Sequence, residues 1–138
     1  MNTLIAPVMA LVTWSLLVWV WMYVKRIPAM QQAGLDPQQA RFPGSLDMLP
    51  DSARAAADNY NHLMEQPTIF YAAILAIQVA GHGDGLTRAL AWTYVGLRVL
   101  HSLIQLSANI VAARFLVFAL STLTLMVIVG RELAVLVG

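Results

Sequence analysis

The chain has 138 residues, of which 59% are hydrophobic and 11% charged, with a net charge of +1 and no cysteine. A soluble chain this short has too small an interior to hide that much apolar surface. The near-neutral charge excludes a broad basic field for nucleic acid. The missing cysteines exclude disulfides, thiolate metal sites and a cysteine nucleophile.

Residues 4–24 carry no charge and are almost wholly apolar. About 20 such residues cross a bilayer core, so the stretch predicts a first transmembrane helix. It is too long for a signal-peptide core and lacks the basic start. Trp14, Trp19, Trp21 and Tyr23 crowd its second half, as aromatic residues do near a membrane interface. "KRIP" then supplies two charges and Pro28, and is expected to end the span. Residues 25–50 form the one long loop, with Pro28, Pro37 and Pro43 inside it and Pro50 at its close.

A second helix is predicted over 52–80, with Asp51 or Ser52 as its N-cap. Its first half, "SARAAADNYNHLMEQ", is too polar to face lipid. Its second half, "PTIFYAAILAIQVA", is membrane-like, and Pro67 between them should kink the helix. "GHGDG" (81–85) reads as a tight, flexible turn. It has no strand before it and so is no nucleotide loop. A third helix is expected over 86–106 and a fourth over 115–137, the latter interrupted by Arg131–Glu132, with Arg131 at the outer interface. The architecture is therefore all-α, an integral membrane four-helix bundle in a single domain. Lys25, Arg26, Arg41, Arg54 and Arg114 fall on one side of it and Arg88 and Arg131 on the other. That bias puts the 25–50 loop in the cytoplasm.

The third helix carries the chemistry. Tyr94, Arg98, His101, Gln105 and Asn109 recur at steps of three and four, which is one continuous helix face. An Arg at a helix centre costs about 2.5–3.5 kcal/mol on insertion scales, and intramembrane ions usually face a partner or a wet cavity. The second helix offers partners in Asn59, Asn61, His62 and Glu65, with Asp58 beside them. Glu65 is the acid nearest the membrane-like half and is expected to pair with Arg98, in the same subunit or another. Arg54 and Asp58 lie nearer the cytoplasmic mouth. The bland reading is that a buried Arg–Glu pair only fixes helix register. A metal site from His62, His101 and Glu65 lacks the usual ligand spacing, so no metal is expected. The seven Met and the Trp and Tyr residues read as packing and interface anchors.

"RVLHSL" followed by Arg114, thirteen residues after the His, resembles the third helix of the MAPEG superfamily, the membrane-associated proteins of eicosanoid and glutathione metabolism. "DNYNHLMEQPTIFYA" resembles that family's second-helix segment, and the four-span pattern also matches. The likeness is nearest to the bacterial branch, which implies a bacterial inner membrane. The resemblance implies a homotrimer with glutathione held between subunits near the cytoplasmic side and a lipophilic co-substrate arriving through the bilayer. It implies that Arg114 stabilises the thiolate as the catalytic residue. Arg54, Asn59, Asn61, His62, Glu65, Arg98, His101 and Gln105 would hold the tripeptide. The chain departs from the pattern at Gln105, where the family often has Tyr, at His62, which replaces an Asn, and in the turns before Glu65, where Arg54 is the one arginine.

Two functions of different class follow. One is a glutathione-dependent membrane transferase or peroxidase acting on lipophilic electrophiles. The other is a non-catalytic protein of the same fold that binds membrane lipid or another small anion in the intersubunit crevice. A small transporter is the third option, but four short spans without an inverted repeat do not suit it.

Overall fold

The computed structural model describes residues 3–42 and 44–138. Among the described residues five α-helices build four rods: α1 (Ile5–Gln32), α2 (Asp51–Met64) continued by α3 (Gln66–Ala80), α4 (Gly85–Leu106) and α5 (Val111–Val137). Pro43, one of the loop prolines, lies outside the described residues. α1, the α2–α3 rod and α5 are long and apolar enough to cross a membrane. α4 has 22 residues, about 33 Å at 1.5 Å per residue, which matches a 30 Å hydrocarbon core. Its polar stripe lowers its average hydropathy, and that stripe is turned inward.

α1 shows how the sequence chooses its inner face. Val8, Leu11, Ser15, Val18 and Met22 are buried at alternating steps of three and four, while Leu16, Leu17, Val20 and Val24 between them stay exposed. Both faces are apolar, as a lipid-facing helix requires. The start of α1 is clamped to the end of α3, where the Leu4 backbone N–H donates to Gln78 Oε1 at 2.6 Å. α1 does not stop at "KRIP". It runs through Pro28 to Gln32. Pro28 lacks the N–H that would bond Val24, but it lies beyond the apolar stretch, where water satisfies the freed carbonyl. A short 3₁₀ turn over Pro37–Ala40, capped by Asp36, then leads to α2.

α2 begins at Asp51 with Pro50 in the N-cap position and no side-chain cap bond, so neither Asp51 nor Ser52 caps it. It buries Ala53, Ala56 and Ala57, small residues that let a neighbouring backbone approach closely, and it packs on α1. At Glu65 the rod breaks (φ −90°, ψ −98°), and α3 restarts with Pro67 in its first turn. The expected kink is thus an interruption of the hydrogen-bond ladder. Gly81 ends α3 in the left-handed conformation (φ 75°), and the Gly81 and His82 N–H groups return to the Gln78 and Ile77 carbonyls. Asp84 caps α4 by accepting from the Thr87 N–H at 2.7 Å.

The "GHGDG" turn is pinned to α5. His82 Nδ1 lies 2.7 Å from Glu132 Oε1, and Arg131 Nη2 donates to Asp84 Oδ2 at 2.7 Å. At the other end Asn109 takes the left-handed conformation (φ 51°) between α4 and α5. It therefore leaves the α4 stripe and is exposed. α5 starts at Val111, four residues before the expected 115, and lies against α4 over much of its length.

The core joins Leu11, Leu63, Phe70, Ile74, Tyr94 and Leu125. Phe70 stacks on Tyr94 with ring centroids 4.4 Å apart and planes at 14°. Lipid tails are as apolar as Leu, so burial alone does not hold such helices together. Polar cross-links fix the register. Gln66 Nε2 donates to Thr122 Oγ1 at 2.8 Å, Tyr94 OH to Gln66 Oε1 at 3.2 Å, and Ser102 Oγ to Asn59 Oδ1 at 3.0 Å.

Candidate functional site

Tyr94, Arg98, His101 and Gln105 of the α4 stripe are all buried. Arg98, 1% exposed, is among the largest fully buried side chains. Its Nη2 donates to the His62 carbonyl at 3.1 Å. That carbonyl belongs to the last turn of α2, where the break at Glu65 replaces the usual bond from four residues on with one from the Glu65 N–H at 3.3 Å. The guanidinium therefore caps a helix C-terminus, where the peptide dipoles present partial negative charge. It also lies over the Phe118 ring, 5.6 Å from its centroid. The break at Glu65 and the buried cation account for each other.

Glu65 does not pair with Arg98 inside the chain. Its side chain is exposed and faces the His62 ring, Nδ1 to Oε2 3.8 Å. The chain thus places a buried cation and an exposed carboxylate close to one helix break without joining them.

His62, His101, Val111, Arg114, Phe115 and Phe118 line a cavity of about 180 Å³ at the α2, α4 and α5 ends. The His62 and His101 rings meet edge to face at 5.5 Å. Arg114 Nη1 donates to Asn109 Oδ1 at 2.7 Å, so the α4–α5 turn aims the guanidinium. Two buried nitrogens of its lining, His101 Nδ1 and Arg114 Nε, make no hydrogen bond among the described residues, and neither do Arg98 Nε and Nη1, Asn59 Nδ2 and Gln105 Oε1 on the neighbouring turns of α2 and α4. Most are donors, the chemistry that receives an anion.

The nine sequence-predicted site residues divide. Asn59, His62, Arg98, His101, Gln105 and Arg114 cluster at the α2, α4 and α5 ends. Glu65 sits on the surface beside them. Arg54 and Asn61 lie on another face of α2 and line a different cavity. Phe118 and Ser102 are contributors that the sequence reading missed. Phe118 follows Arg114 by one helical turn, so the spacing was there to read. Ser102 follows Arg98 by four residues and precedes Gln105 by three, so its spacing too was there to read. Among the described residues no group of three His, Asp or Glu is arranged to hold a metal ion.

The MAPEG family model matches residues 4–134. The chain belongs to the MAPEG family. It is an integral membrane protein of the kind concerned with eicosanoid and glutathione metabolism. No curated protein and no solved structure matches it. The cavity's volume lies below the roughly 300–1,000 Å³ of small-molecule sites.

Proposed function

We propose that this MAPEG protein is a glutathione-dependent membrane transferase or peroxidase acting on lipophilic electrophiles, working as a trimer with its 25–50 loop in the cytoplasm. The observation that supports it most is the meeting of His101 and Arg114 at one cavity, each with an unpaired nitrogen, while Arg98, one turn before His101 on α4, keeps two unpaired guanidinium nitrogens. Glutathione supplies a thiol that attacks an electrophile or reduces a hydroperoxide once ionised. Arg114, fixed by Asn109, stabilises the negative charge on sulfur, an electrostatic role that needs no protein nucleophile. Arg98 and Asn59 donate to a carboxylate or peptide oxygen, and Gln105 Oε1 accepts. His101 holds α4 against α2 and orients its neighbours. Glu65, exposed on the protomer, receives the ligand's ammonium group from across a subunit boundary. Such an arrangement completes a cavity that one chain leaves too small.

The test is titration of glutathione by calorimetry, with thiolate absorbance in the ultraviolet and Arg114→Ala as control. Saturable binding with thiolate formation that Arg114→Ala abolishes is the expected result. No binding at millimolar glutathione removes the proposal. A second reading, a MAPEG-fold protein that binds lipid or another small anion without catalysis, is favoured by one observation. Arg54, the lone arginine in the turns before Glu65, faces away from the cavity. Its signature is co-purified lipid in the crevice and no thiolate absorbance.

A further inference from the structure

A second cavity, about 430 Å³, lies where α1, the connection after it and the start of α2 meet. Arg26, Arg41 and Arg54 line it together with Asp47, Asp58 and Phe42. Its volume is in the range of small-ligand sites. Three guanidiniums face two carboxylates, yet none of the three arginines forms an ion pair or side-chain hydrogen bond among the described residues. The lining carries one uncompensated positive charge.

Its depth is set by α1. Trp19, Trp21 and Tyr23 mark the aromatic belt, with Trp19 and Tyr23 edge to face at 4.8 Å and Lys25 Nζ 4.7 Å above the Trp21 ring. Arg26 follows Trp21 by five residues, about 7.5 Å along the helix axis. The headgroup zone outside a hydrocarbon core is about 5–8 Å deep, so Arg26 lies at the level of lipid phosphates. Beside it Phe42 is 64% exposed under the Arg41 guanidinium, 5.1 Å from the ring centroid. An exposed phenyl ring bearing a cation is suited to the boundary between headgroups and acyl chains.

We propose that this cavity binds the phosphate group of an anionic lipid headgroup. Arg26 and Arg41 grip the phosphodiester by charge-assisted hydrogen bonds. Arg54 extends the grip from α2, and Phe42 anchors the loop among the acyl chains. An anionic lipid brings one net negative charge to balance the excess of the lining, whereas the ammonium of a zwitterionic lipid cancels its phosphodiester and would sit beside the arginines, so the anionic lipid should be preferred. The bound lipid would tie the loop to α1 and α2 at the membrane surface. The site is separate from the His62–His101–Arg114 cavity and does not depend on what that cavity does.

The test is native mass spectrometry and thermal melting of the full-length protein in phosphatidylcholine nanodiscs with and without phosphatidylglycerol. The wild type should retain phosphatidylglycerol selectively and melt higher in its presence. The double variant Arg26→Gln/Arg41→Gln should bind it at least tenfold more weakly with an unchanged midpoint in phosphatidylcholine alone. Asp47→Asn, which removes a repelling charge, should tighten binding. Equal retention of the two lipids, or of phosphatidylglycerol by wild type and double variant, overturns the proposal. So does weaker binding by Asp47→Asn. Inorganic phosphate that binds alone and displaces the lipid would show a site for free phosphate and overturn the lipid source. Glutathione titrated into the same samples separates the two readings, because its failure to bind leaves the lipid result standing.

Discussion

Ser102 and Asn59 are both fully buried and meet through one hydrogen bond, Oγ to Oδ1 at 3.0 Å. Ser102→Ala strands the Asn59 oxygen and Asn59→Ala strands the Ser102 hydroxyl, each costing about 1–3 kcal/mol. The double variant should cost clearly less than the sum of the two. Additive melting shifts in detergent would mean that the bond contributes nothing. Asn109 raises a different question, since its left-handed backbone and its hold on Arg114 are both functions of one residue. Glycine adopts that conformation freely, so Asn109→Gly should keep the fold and lower the thiolate fraction at fixed pH. Asn109→Ala should also lose about 1 kcal/mol of stability to the strained turn. If the thiolate signal is the same in wild type and Asn109→Gly, Asn109 does not aim Arg114.

At the scale of elements, the pairing of α4 and α5 is closed at its outer end by Asp84–Arg131 and His82–Glu132. The Thr87 backbone N–H and hydroxyl, and then Arg131, hold the Asp84 carboxyl below its usual value. A carboxylate depressed in the folded state contributes stability above its unfolded value, and that contribution is lost as pH falls through the folded value. Asp84→Asn keeps a capping side chain and removes the charge. At neutral pH it should melt below wild type. The gap should close in acid below the ordinary carboxylate range, where both side chains are neutral. A gap that persists there would assign the loss to the cap and not to the ion pair. This clasp was not legible in the sequence. Partners 47 and 50 residues apart have no local signal, and Arg131–Glu132 read only as an interruption of the fourth helix at the membrane interface. What was legible had a period or a breaker behind it. The steps from Tyr94 to Gln105 showed a buried face, and Pro67 showed where the second rod must break. Pro28 misled for a physical reason. A proline ends a helix when nothing replaces its hydrogen bond, and α1 is already past its apolar stretch there.

For the whole molecule, the unresolved pairing is between Glu65 and the buried cations. The sequence placed Glu65 one helix away from Arg98, and the protomer instead leaves the carboxylate exposed while Arg98 caps α2. Side-chain periodicity specifies which face a residue occupies but not which subunit that face meets. If the proposed site is shared, Glu65 of one subunit completes the His101–Arg114 cavity of the next. Two inactive variants then complement each other. Glu65→Ala subunits still present Arg114, and Arg114→Ala subunits still present Glu65, so mixed trimers contain some intact sites. Co-expression of the two should recover a fraction of glutathione thiolate formation that neither variant shows alone. A site built within one subunit gives no recovery at any mixing ratio, because every copy then carries one lesion. The recovered fraction, read against the ratio of subunits, would therefore report whether the small cavity of the single chain is half of a larger one.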